Sequence, residues 1–238
     1  MNLVVKSVNY RRGFTLIELM LAMTFISILL IAITMTIIQI SNIYNHGITL
    51  KEVDQAGRTL SAELQRTIRS SSQFDITDTG NVYVKQGDWG ARLCLGSYSY
   101  IWNYGKALNT NDPKGQNLNV YDDSEADIRF VKVSDSDRSY CSSVPKKKVD
   151  SSGAIDLLDA GDHSLAVHKF VITSSTSAFD AVSNQRLYNI RFTVGTNDTN
   201  AIVDDASKCK APGESGSDPS YCSVQEFNIV ARAGNAVE

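Results

Sequence analysis

The 238 residues carry 23 lysines and arginines against 26 aspartates and glutamates, a formal net charge of −3, with 42% apolar residues and four cysteines. A chain so near neutrality has no global attraction to nucleic acid, and its length suits one ordinary domain plus a membrane helix. No H-E-x-x-H, G-x-S-x-G, P-loop or G-x-G-x-x-G pattern occurs, so nothing in the sequence supports catalysis.

At the N-terminus Lys6, Arg11 and Arg12 are the only charges before Gly13. Phe14-Thr15-Leu16-Ile17-Glu18 follows, and from Leu19 to Gln39 no side chain is charged. As a helix, residues 14–40 are about 40 Å long, enough to cross a hydrocarbon core of about 30 Å. The polar members Thr15, Thr24, Ser27, Thr34, Thr36 and Gln39 are uncharged and suit a helix that packs among others. Glu18 is the exception: a lone carboxylate in lipid costs a few kcal/mol, so it needs a partner. The basic leader and the Lys51, Glu52 and Asp54 that follow the apolar run place the N-terminus in the cytoplasm and the C-terminal portion outside. A Sec signal would have a shorter apolar region and a small-x-small site after it, and Ser41-Asn42-Ile43-Tyr44 offers none. A twin-arginine signal fits Arg11-Arg12 but not an acid inside the apolar region.

Arg11-Arg12-Gly13-Phe14-Thr15-Leu16-Ile17-Glu18, with the apolar run behind it, resembles the class III signal of type IV pilins and of the pseudopilins of type II secretion. The likeness covers roughly residues 11–40. It implies that residues 1–13 are a leader cut by prepilin peptidase after Gly13, that Phe14 is then N-methylated, and that its new ammonium partners Glu18 within or between subunits. It also implies as partners other pilin subunits and an inner-membrane assembly platform. Loss of the leader removes three basic residues, leaving 20 against 26 acidic ones and a net charge of −6. Main pilins often carry a proline in the membrane stretch, whereas the prolines here are Pro113, Pro145, Pro212 and Pro219. That absence and the length of the mature chain resemble the minor pilins and J-type pseudopilins, as does Gln55–Ser70 more loosely.

The helix is expected to continue over 41–72 as an amphipathic half. Val53, Ala56, Leu60, Leu64 and Ile68 form one stripe at three- and four-residue intervals, with charged residues elsewhere. As one element, 14–72 would extend almost 90 Å, at about 1.5 Å per residue. Gly47 and Gly57 weaken it by about 1 kcal/mol each relative to alanine and are candidate bends. Beyond Ser72 the helical period disappears: Asn81–Lys85 and Arg92–Leu95 are short and β-rich, Tyr98–Tyr104 and Ile128–Val133 alternate, and Leu165–Thr173, Leu187–Val194 and Glu226–Ala231 are further strand candidates. The fold class is α+β: a long N-terminal helix, membrane half plus amphipathic half, packed against an antiparallel sheet in a pilin-like head over 73–238.

An extracytoplasmic domain can keep disulfides, and the four cysteines allow three pairings. Sequence neighbours, Cys94–Cys141 and Cys209–Cys222, are the expected pairs. No pair has C-x-x-C spacing, so zinc or redox chemistry is not expected. The acidic groups Asp122/Asp123/Glu125/Asp127, Asp135/Asp137 and Asp204/Asp205 invite a calcium test, but none follows the spaced D-x-[DN]-x-[DN]-G loop and each reads as a solvated turn. No cofactor is therefore expected. Tyr98, Tyr100, Trp102 and Tyr104 alternate and read as one buried sheet face rather than an exposed stacking surface. Lys146-Lys147-Lys148 reads as a solvated loop. Of His46, His163 and His168, the last lies in a predicted strand as a structural histidine.

The functional reading is a minor pilin of a type IV pilus, serving assembly and through it adhesion, motility or DNA uptake. It starts in the cytoplasmic membrane and ends in an extracellular pilus. The alternatives are a minor pseudopilin in a short periplasmic filament and a single-span anchored binding protein that never polymerises.

Overall fold

The computed structural model describes residues 13–78, 82–109, 118–142, 148–158, 164–174 and 185–234. The chain forms two compact units, Met1–Tyr44 and Asn45–Glu238. One helix, α1 (Leu16–Ser70), begins in the first and ends in the second. No proline interrupts its hydrogen-bond ladder, so the backbone runs through Gly47 and Gly57 without a break.

In the first unit α1 is apolar around its whole circumference. Leu16, Ile17, Met20, Phe25, Ile31 and Ile37 are all exposed. A helix with no polar face buries nothing against its own chain and asks for an apolar surrounding. It is long and apolar enough to cross a membrane.

The second unit takes in the rest of α1 and two antiparallel meanders. The first sheet has the order β1 (Tyr83–Lys85), β2 (Gly90–Leu95), β3 (Tyr98–Asn103), β4 (Phe130–Ser134) and β5 (Ala154–Asp156). The second is β6 (Leu165–Ser174), β7 (Arg186–Thr196) and β8 (Val224–Ala233). The fold class is α+β, and the named strands pair antiparallel in both sheets. Two short helices, α2 (Gly105–Leu108) and α3 (Ser139–Ser142), follow β3 and β4. The parallel bridge between Tyr104 and Val167 joins the end of β3 to β6.

The stripe on α1 is where the core begins. Val53, Ala56, Leu60, Leu64 and Ile68 are buried against Trp102, Phe130, Phe170, Phe192 and Ile190, so the helix and both sheets share one apolar interior. Gly57 is a packing site rather than a bend. A Cβ built there would lie 2.0 Å from two ring carbons of Phe227, so the glycine is what lets that ring rest on the helix backbone. After the helix, the backbone of Phe74 both donates to and accepts from the Tyr188 hydroxyl, and the two rings stack at 4.0 Å.

Strand β3 lies at the centre of its sheet and is covered on both faces. Tyr100 and Trp102 enter the shared core, while Ile101 enters a second core with Val131, Val133, Tyr140 and Val149. The expected buried aromatic face therefore applies to Tyr100 and Trp102. Tyr104 is half-buried, and Tyr98, the first residue of β3, is 40% exposed with the Lys132 ammonium 3.7 Å above its ring. Short β5, which strand periodicity did not reveal, pairs with β4 through Ala154–Asp156.

Candidate functional site

The candidate site is the start of α1. Thr15 precedes the first helical residue, and its carbonyl accepts from the Leu19 N–H at 3.2 Å. Its backbone N–H and its hydroxyl both donate to Glu18 Oε2 at 3.0 Å, and the Glu18 N–H returns a bond to Thr15 Oγ1 at 3.3 Å. This is a reciprocal capping box: threonine at the N-cap and glutamate three residues on satisfy orphan donors of the first turn. The Thr-x-x-Glu spacing was present in the sequence, where Thr15 was read only as an uncharged polar residue. Each hydrogen bond that Glu18 accepts from the described residues falls on Oε2. The carboxylate also sits at the positive end of the helix dipole.

Further along, the hydroxyls close on the helix itself. Thr24 donates to the Leu21 carbonyl, Ser27 to Met23, Thr34 to Leu30 and Thr36 to Ala32, all at 2.8–2.9 Å. Such back-bonding removes free donors from the surface of the helix. In an apolar solvent that matters, because an unmatched donor there costs several kcal/mol. Phe14 is 86% exposed and Gly13 is exposed, so the peptide between them is not packed into the first unit.

The other candidate residues are placed as follows. Cys94 and Cys141 form one disulfide and Cys209 and Cys222 the other. The first ties β2 to α3 within the second core, and the second closes the loop before β8. Among the described residues no group of three or more His, Cys, Asp or Glu side chains could hold a metal ion. The acidic loops have protein partners instead: Lys148 donates to Glu125 at 2.8 Å and Ser151 to Asp123 at 2.6 Å. Asp135 is buried, accepts from Ser99 Oγ at 2.7 Å, and receives the N–H groups of Ser139 and Tyr140 at the start of α3. Burial alone would raise its pKa, but these bonds outweigh that and hold it below the usual carboxylate range.

His168 occupies the irregularity in β6 between Val167 and Lys169, with Nε2 3.0 Å from the Thr196 carbonyl oxygen. Burial lowers its pKa, which keeps the ring neutral at pH 7. His46 is exposed on α1. His163, Lys146, Lys147, Pro113 and Pro145 lie outside the described residues.

One cluster had no signal in the sequence. Glu63 on α1 receives Lys132 Nζ from β4 at 2.6 Å and Arg66 at 2.5 Å, while the Tyr100 hydroxyl lies 3.3 Å from the same carboxylate and donates to Thr67 Oγ1 at 2.6 Å. Burial would raise the Glu63 pKa, but Lys132 and Arg66 hold it below the ordinary value. This ion pair fixes the amphipathic half of α1 to the first sheet.

Residues 8–38 match the family model described as the prokaryotic N-terminal methylation motif. The matched span contains Gly13, Phe14, the capping box and nearly all of the apolar run. It supports the type IV pilin-like reading of this chain, a family of structural subunits rather than enzymes, and an apolar helix that anchors in a membrane. No curated protein and no solved structure matches the chain.

Proposed function

We propose that this chain is a minor subunit of a type IV pilus. Residues 1–13 are the leader, prepilin peptidase cuts between Gly13 and Phe14, and Phe14 is methylated. Residues 14–40 then hold the subunit in the cytoplasmic membrane, N-terminus inward, until the helix enters the filament core. Residues 41–72 and the β-rich head of 73–238 stand outside. In the filament, the subunit serves assembly and the adhesion, motility or DNA uptake that depends on it.

The observation that carries this reading is a helix apolar on every side with one carboxylate in its first turn. Glu18 Oε2 is held 3.0 Å from the Thr15 N–H. Cutting the preceding bond makes the nitrogen of Phe14, the residue next to Thr15, an ammonium. Attraction between that cation and the acid, within one copy or between neighbours, is strong in a low-dielectric core and offsets the cost of placing Glu18 there.

Mass spectrometry of the membrane-extracted protein should give Phe14, N-methylated, as the first residue. Glu18→Ala should leave cleavage intact and remove the chain from sheared surface filaments. A mature protein that retains Met1, or filaments that incorporate the alanine variant normally, would defeat the proposal. Wild-type chain found only in envelope fractions, in a filament that never reaches the surface, identifies the pseudopilin of a secretion apparatus instead.

A further inference from the structure

The head carries a cleft of about 870 Å³ that is independent of the filament reading. It lies where the β1–β2 turn, α2, β6 and the loop 199–206 meet. The size falls within the range of small-molecule sites. Its charged lining is balanced, with Lys85, Lys106 and Lys169 against Asp88, Asp204 and Asp205. His168, which also lines it, is the neutral ring described above.

Tyr104 lines one wall, and its backbone is held in place from several directions. The Tyr104 N–H donates to the Trp89 carbonyl at 2.8 Å, and the Tyr104 carbonyl accepts from Ala107 and Leu108 at 2.9 and 3.1 Å. Tyr104 also bridges to Val167. Trp102 Nε1 and Tyr83 OH are buried without a well-formed hydrogen bond among the described residues.

We propose that this cleft binds a neutral saccharide. A balanced lining gives a polyanion no net attraction, which argues against nucleic acid and sulfated chains. It suits a molecule whose every hydroxyl both donates and accepts, since carboxylates take only donors and ammoniums only acceptors. A sugar ring adds an apolar C–H face to pack on Tyr104, beside the exposed Val171. The Tyr104 backbone is already fixed, so that residue adds little backbone ordering cost on binding.

The test is binding of the full-length chain to an array of neutral, sialylated and sulfated oligosaccharides, with a labelled single-stranded oligodeoxynucleotide as a further arm. The protein is held in an amine-oxide detergent, because maltosides would compete. Asp88 and Lys169 are exposed, so Asp88→Ala and Lys169→Ala should keep the wild-type melting temperature. At least one neutral oligosaccharide should bind, the same sugar in solution should compete it away, and each substitution should cut the signal at least fivefold. No bound glycan, binding confined to the acidic glycans or the oligonucleotide, or variants that bind like wild type would each overturn the proposal.

Discussion

Replacing Gly57 by alanine sets two opposed effects against each other. In an isolated helix the change is favourable by about 1 kcal/mol, because alanine loses less backbone freedom on folding. In this head the new Cβ falls 2.0 Å from Cε2 and Cζ of Phe227 and 2.7 Å from Cδ2. Carbon atoms rest at about 3.5–4.0 Å, so the ring must retreat by roughly 1.5 Å. It cannot swing freely, because it stacks on Phe192 at 5.4 Å and sits on β8, whose ladder to β7 fixes the backbone. Overpacking of this kind costs about 1–3 kcal/mol, and more where backbone must shift. The packing cost should win, with net destabilisation of about 1–2 kcal/mol and a melting temperature lower by about 3–6 °C for a head of this size. Thermal and urea unfolding in detergent, followed by fluorescence of the buried Trp102, measures it. Phe227→Leu in the Gly57→Ala background should recover stability relative to the sum of the single changes, with a coupling above about 1 kcal/mol. A more stable Gly57→Ala protein, or additive single and double variants, would show that the ring does not rest on the helix and would refute this account of the packing.

Further outcomes follow from the other contacts. Glu63 is held below its ordinary pKa of 4.5, so its contribution is complete above that value and is lost as the pH falls through the lower, folded-state pKa. Melting temperature should therefore drop on acidification below pH 4.5, and Glu63→Gln should flatten that drop. Lys132→Met leaves a largely buried carboxylate with, among the described residues, only the exposed Arg66 as a cationic partner (the Glu63 and Lys132 side chains are 13% and 10% exposed) and should cost about 3 kcal/mol at neutral pH by urea unfolding. In the chain-entropy account, losing Cys209–Cys222 should cost about 3 kcal/mol and losing Cys94–Cys141 about 4, since the latter closes a loop with a sequence separation of 47 rather than 13. Paired serine substitutions compared by urea midpoint test that order. Thr15→Ala removes the two capping-box hydrogen bonds made by the Thr15 hydroxyl, leaving the backbone one, and should raise amide exchange across the first turn of α1 about fivefold in micelles, a loss of about 1 kcal/mol.

Much of this molecule was legible before any coordinates, for reasons that differ by segment. The helical stripe Val53–Ile68 was readable because burial on one face of a helix writes a 3.6-residue period into the chain, and those residues line the core. Most strands showed as short β-rich or alternating runs within a few residues of their observed ends. Three-residue β5 is too short for any period to register, and Ile155 is exposed. The capping box was equally local and equally legible, yet its spacing was overshadowed by the apolar run that follows it.

What the amino-acid order determines by itself is whatever rests on neighbours along the chain: the apolar length after Gly13, the acid in the first turn, the amphipathic stripe and the alternation of the strands. Tertiary structure alone decided the rest. It set Lys132 against Glu63 across 69 positions, laid Phe227 on Gly57, gave Asp135 to the start of α3 rather than to a cation, and gathered the walls of the cleft from four separate segments. Those pairings depend on which surfaces meet once the helix and the two sheets close on one core, and that closure leaves no period in the chain for a reader to find.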